Sequence, residues 1–191
     1  MKEGSSIDIN DEEKLVLYSI GALGNIPLSS KIIIQKLLFL IANVFKGFHE
    51  LLRYEPHLYG PYSETVENVL DSLVKVGYIE KIENQYRLSK EGINIFKSLH
   101  PKPELVKVIE DFKRFLNDLD FNELLAFIYV SYPEYISESV KWDELKIRRK
   151  DIAISLLRKE KVSFAKASEI AGMSGIAFDN LLKAMGIRWR E

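Results

Sequence analysis

The chain has 191 residues, 47% of them apolar and 29% charged, with a formal net charge of −1 and no cysteine. That is enough apolar material for one large or two small domains with a real core, and the missing cysteines exclude disulfides and thiolate chemistry. The longest apolar run, residues 32–45, is broken by Gln35, Lys36 and Asn43 and falls short of a membrane span, and the N-terminus lacks the apolar core of a secretory signal. A cytoplasmic protein with no membrane contact is expected. The charge is uneven: residues 1–140 carry a net −6 and residues 141–191 a net +5. A basic tail on an acidic body directs any polyanion to the tail.

In chain order, residues 1–9 read as disordered. Asn10 or Asp11 caps a first helix whose acidic opening suits the helix dipole and which Gly24 and Asn25 stop near Leu23. Ser29 or Ser30 starts a second helix through about Phe45, apolar nearly all round and therefore expected at the centre of its domain. Residues 47–62 hold Phe48, His49, Tyr54, His57, Tyr59 and Tyr62, with Pro61 pre-set for a first helical position. Two readings compete here: an anion held at the helix N-terminus, or aromatics covering the domain edge, the second favoured because aromatic clusters are more often core.

The stretch YGPYSETVENVLDSLVKVGYIEKIENQYRLSKEG, residues 59–92, organises the first half. Val66, Val69, Leu70, Leu73 and Val74 recur at helical spacing, Gly77 ends that helix, and residues 78–82 and 86–88 are β-prone. Between the strands, Asn84 is expected to take the left-handed position of a three-residue turn, and Ser89 to cap the next helix. Helix, two-stranded wing and helix in this order resemble the second half of a winged helix-turn-helix domain. With IQKLLFLIANVF before it and LLAFIYVSYPEY after it, the segment from about Leu15 to Leu145 resembles the YwgA-like and Panacea-type winged-helix families, YGPYS being the most specific element. Those families are linked to regulation and toxin–antitoxin contexts and imply no catalytic residues.

Pro101 and Pro103 mark a junction, after which helices are expected over 104–119 and 121–132, packing back on the winged helix or pairing two subunits. Residues 134–148 read as a polar linker anchored by Trp142. A helix is then expected over 149–159, a short helix capped by Ser163, a turn at Gly172, and a third helix capped by Ser174 and buried through Phe178, Leu181, Leu182 and Met185. Small residues before a glycine turn permit the close crossing of a helix-turn-helix. The stretch VSFAKASEIAGMSGIAFDNLLKAMGI resembles the helix-turn-helix of a small prokaryotic antitoxin-like family whose partners are PIN-domain toxins, the resemblance covering roughly residues 152–187. The fold class read from these patterns is mainly α with a small β-wing: a winged helix-turn-helix domain over 1–100, a helical extension and linker over 101–145, and a C-terminal helix-turn-helix over 146–191.

Convergent nucleophiles, metal ligands and phosphate loops are missing: His49, His57 and His100 lack metal-ligand spacing, and no Gly-rich phosphate motif, GxSxG or HExxH occurs. No catalytic residue, metal or cofactor is expected. The outward stripe of the helix over 63–76 is Glu64, Glu67, Asn68, Asp71 and Lys75, and three acids against one lysine repel a duplex carrying a phosphate about every 1.7 Å of its axis. Glu64, Glu67, Asn68 and Asp71 are instead expected to bind a protein partner. Double-stranded DNA falls to the C-terminal segment, with Lys146, Arg148, Arg149, Lys150, Lys166, Arg188 and Arg190 for phosphates and Asn180 and Lys183 for base edges, as a homodimer over two half-sites. The functional expectation is a DNA-binding transcriptional regulator of antitoxin-like type. The alternative is a non-catalytic interaction module docking a toxin or other protein through the acidic helix.

Overall fold

The computed structural model describes residues 9–189. It is mainly helical, with ten α-helices and one two-stranded antiparallel sheet among the described residues. No described helix is long and apolar enough to cross a membrane. The expected disorder of residues 1–9 falls outside the described residues except at Ile9, which is buried. Two compact units divide the chain, one running up to Glu55 and taking in Tyr62–Asn117, the other comprising Pro56–Pro61 and the chain from Asp118 onward.

In the first unit, α1 (Asp11–Asn25) starts in a capping box: the Asn10 side chain accepts from the Glu13 amide, and the Glu13 carboxylate accepts from the Asn10 amide. Its helical geometry breaks at Ala22, Leu23 and Gly24, close to the expected stop. α2 (Lys31–Val44), capped by Ser30, buries every residue from Ile34 to Ala42, which is the central position its all-round apolarity requires. A short helix, α3 (Lys46–Leu52), occupies part of the stretch expected as an aromatic loop. Its Phe48 meets Phe45 edge to face, and Tyr54 meets Phe39 in the same way, so these aromatics are packing groups.

The QK motif meets the serine that ends YGPYS inside this unit. The Gln35 amide donates to the Ser63 carbonyl at 2.9 Å and its oxygen accepts from the Ser63 amide at 3.0 Å. Ser63 Oγ, fully buried, donates to the Leu52 carbonyl and accepts from the Val66 amide. α4 (Glu64–Lys75) therefore starts on Ser63 and not at Pro61, and its N-terminus is closed by protein groups where an anion was one expectation.

β1 (Ile79–Ile82) pairs with β2 (Gln85–Leu88) in the register Ile79↔Leu88 to Ile82↔Gln85, leaving a two-residue turn. Glu83, at φ 55°, carries the left-handed conformation expected of Asn84. The other side of β2 is not an open edge. Leu28 and Tyr86 exchange both backbone hydrogen bonds, and the Asn25 side chain donates to the Leu88 carbonyl and accepts from its amide. An asparagine side chain here extends the ladder by one backbone-like pair. α5 (Lys90–Ser98) follows, capped by Ser89 as expected.

α6 (Pro103–Asn117) packs on α1 and α2 through Ile109, Lys113 and Leu116. Lys113 is fully buried, and its ammonium donates to the carbonyls of Ile20 and Ala22 where α1 breaks. Burial lowers its pKa to about 8 and that of Lys36, 2% exposed on α2, to about 7. Both lie below the ordinary lysine value of 10.5. The unfolded chain therefore binds more protons than the folded one over that window, and unfolding free energy rises with pH between roughly 7 and 10. At pH 9, unfolding is expected to take up about two protons, read as the slope of urea-melt stability against pH. A flat or falling slope from pH 7.5 to 9.5 would contradict the assignment.

In the second unit, α7 (Phe121–Ser131) opens on a capping box between Asp120 and Glu123. The Glu123 side chain, 1% exposed, also accepts from Ser155 Oγ at 2.6 Å and Lys159 Nζ at 2.7 Å. Burial opposes its charge, but these hydrogen bonds outweigh it and hold the carboxyl below its usual range. After a 3₁₀ turn over Pro133–Ile136, α8 (Trp142–Arg158) begins seven residues before the expected start, inside the expected linker. Only Leu145 is buried in its first two turns, so the apolar period that marks a helix is missing there. Trp142 is the anchor expected: it meets Tyr129 edge to face.

Candidate nucleic-acid interface

α8 packs against α9 (Phe164–Ala171), which packs in turn against α10 (Gly175–Ala184). Ser163 caps α9, its Oγ accepting from the Lys166 amide, and Ser174 caps α10, its Oγ accepting from the Ala177 amide. Gly172, left-handed at φ 70°, ends α9. Ala167, Ile170, Ala171, Phe178 and Leu182 are buried, while Leu181 is only half-buried and Met185 is 54% exposed, because α10 ends at Ala184 and Met185 lies in the turn beyond.

The basic residues expected at the DNA interface divide into three sets. Arg149 is half-buried and engaged: its Nε donates to the Ile170 carbonyl at 2.6 Å and its Nη2 to the Glu169 carbonyl at 2.7 Å. It satisfies the terminal carbonyls of α9, lies across Gly172, and sits over the Trp142 ring at 5.6 Å. Lys146, Lys166 and Lys183 are ion-paired with Asp143, Glu169 and Asp179 respectively. All three pairs lie at i,i+3 or i,i+4 on exposed or half-exposed helix surface, where opening one costs only about 0–1 kcal/mol. Arg148, Lys150 and Arg188 are exposed and make no ion pair among the described residues. Arg190 lies outside the described residues.

Two arginines, Arg158 and Arg188, line one surface recess with Lys161, Ser163, Phe164 and Trp189. Arg158 was not among the residues expected at the interface, although it stands in the last turn of α8. Trp189 stacks on Phe164 with ring centroids 3.9 Å apart and donates its indole N–H to Asp179 at 3.3 Å. This holds the chain just before Arg190 against α9 and α10. Asp179 is consequently engaged twice, by Lys183 and Trp189, and both bonds pull its carboxyl below the usual range. What α10 leaves exposed is Ile176, at 80%, with Asn180 and Lys183.

Residues 127–191 match an uncharacterised protein family, UPF0175. The match spans about a third of the chain and extends from within α7 across α8, α9 and α10, further than the 152–187 resemblance read from the sequence. A comparison with curated proteins found no match.

The four residues expected to bind a protein partner all lie on α4. Glu64, Asn68 and Asp71 are exposed and Glu67 is half-buried. Lys31, from the first turn of α2, bridges Glu67 at 2.8 Å and Asp71 at 2.7 Å. Burial opposes the Lys31 charge, but the hydrogen bonds its ammonium donates to Asp71 and Glu67 more than offset this and raise its pKa. Its ammonium is committed to the acids of α4. No group of three or more histidine, aspartate or glutamate side chains able to hold a metal occurs among the described residues.

Proposed function

We propose that this chain is a non-catalytic DNA-binding regulator of antitoxin-like type that meets the duplex through α8, α9 and α10. The observation that carries the reading is the pair of serine-capped helices α9 and α10, joined at left-handed Gly172 and presenting an α10 face whose one acid, Asp179, is already occupied. A second helix with an exposed, acid-free stripe is what a major groove accepts. Arg148, Lys150 and Arg188 supply phosphate contacts without breaking an ion pair among the described residues, and Lys146 and Lys166 supply them at small cost. The match of residues 127–191 supports treating α8, α9 and α10 as parts of one segment.

The first unit is read here as a winged helix-turn-helix. In its favour are the order of α1, α2, α4 and the β1–β2 hairpin, and the Leu28–Tyr86 bridge, which adds a third strand position to the sheet. The acids of α4 fit a basic protein partner, a toxin in the antitoxin reading, better than they fit phosphate. The two roles are compatible in one chain.

Fluorescence anisotropy with a labelled duplex tests the regulator reading. Affinity is expected to fall steeply between about 50 and 200 mM salt, and Arg148→Ala with Lys150→Ala to flatten the log–log slope by about one to two units. Failure of the chain to bind any duplex at low salt would sink the proposal.

A further inference from the structure

We infer that α10 reads A·T base pairs, with Asn180 pairing an adenine and Ile176 covering a thymine methyl. This rests on the DNA-binding reading above and specifies what its recognition helix selects.

Side chains at 176, 180 and 183 share one stripe of α10, opposite the buried Phe178 and Leu182. Ile176 is 80% exposed, a branched apolar side chain left in water beside the capped start of the helix. One turn further, Asn180 is exposed and its amide has no hydrogen-bond partner among the described residues. The charged groups flanking them are spent on each other: Lys183 Nζ lies 2.6 Å from Asp179, and Asp179 also accepts from Trp189. The stripe offered to a groove is therefore apolar and amide at Ile176 and Asn180, with the ammonium of Lys183, paired to Asp179, at its far end.

That chemistry has a specific complement. An asparagine amide gives one donor and one acceptor side by side, matching adenine N7 and N6–H₂, and an aliphatic group one turn away is matched by the C5-methyl of thymine. Guanine would need two donors, which arginine or lysine supplies and Asn180 does not. Four residues of helix advance about 6 Å along the axis, roughly two base steps, so the adenine and thymine are expected within two to three pairs of each other.

The experiment is selection of bound duplexes from a random pool by the full-length chain, followed by titration of the selected site. Enrichment of adenine and thymine within three pairs is expected. Asn180→Ala, a surface change, is expected to lose the adenine preference and about tenfold in affinity for the selected site, with binding to scrambled duplex and the salt slope unchanged. Uracil in place of the thymine is expected to weaken the wild type but not Ile176→Ala. Binding without base preference, enrichment of G·C pairs, or an Asn180→Ala protein that keeps the adenine preference would overturn the inference while leaving DNA binding standing. No binding to any duplex would overturn both.

Discussion

Alanine at Gly92 is expected to destabilise the N-terminal unit by about 3 kcal/mol, at the upper end of what overpacking costs. Gly92 stands in the first turn of α5, where helix propensity alone favours alanine over glycine by about 1 kcal/mol. The tertiary setting reverses the sign. A Cβ there would lie 2.0 Å from the Tyr78 carbonyl oxygen and 3.3 Å from Leu88 Cβ. The Tyr78 carbonyl cannot retreat freely, because it accepts from the Ser89 amide at 3.0 Å, and Ser89 Oγ in turn accepts from the Gly92 amide. The start of β1, the end of β2 and the start of α5 are thus tied at one point with no room for a methyl group. Urea denaturation followed by circular dichroism decides between the two effects: a midpoint unchanged or raised by Gly92→Ala would refute the close approach.

Arg149→Ala is expected to cost the C-terminal unit about 2–3 kcal/mol, the scale of losing charge-assisted hydrogen bonds and leaving their carbonyls unmet. The variant removes both bonds to the end of α9 and the guanidinium lying across Gly172 and Trp142. Arg149→Lys keeps the charge but not the planar fork, and is expected to recover less than half of the loss. The same pair of variants separates a fold-holding role from a phosphate contact. Loss of a phosphate contact flattens the salt slope of DNA binding by about one, whereas loss of the cap lowers the folded fraction and leaves the slope alone. Thermal melts of both variants beside their DNA titrations give the answer; a stable Arg149→Ala protein with a flattened slope would return this residue to the interface.

Much of the local structure was legible because it is written in short-range chemistry. Asn10, Ser30, Ser89, Ser163 and Ser174 cap helices through their own side chains, and the apolar run of α2 is buried as its composition demands. The two short strands and the Gly172 turn follow from the same kind of signal. What escaped the sequence depends on residues far apart in the chain. The carbonyls that hold Arg149 lie 20 and 21 positions away, and those that bury Lys113 lie more than 90 away. A basic side chain whose partner is a distant backbone carbonyl has no signature in composition, and reads as surface. The start of α8 escaped for a different reason: a helix that buries only Leu145 in its first two turns has no apolar stripe to detect. At the hairpin, the turn shortened to two residues and the left-handed position fell on Glu83, against the preference of Asn84, because strand pairing set the register.

The candidate site was legible as a region and not as a set of roles. The positive charge of residues 141–191 marked it, yet ion pairs and a helix cap occupy Lys146, Arg149, Lys166 and Lys183 and leave Arg148, Lys150 and Arg188 exposed and without ion pairs among the described residues. Pairing between neighbouring helix positions is readable from spacing, so Lys146–Asp143 and Lys183–Asp179 were within reach of the sequence. The fixing of Asp179 by Trp189 was not.

Amide chemical-shift mapping of the full-length chain on titration with duplex DNA locates the face that meets the duplex. The expected result is a set of perturbations at Ser163–Lys166, Gly175–Lys183 and the exposed side of α8 around Arg148 and Lys150, with the acidic face of α4 from Glu64 to Asp71 unmoved. Perturbations centred on α4, or none anywhere at low salt, would contradict it.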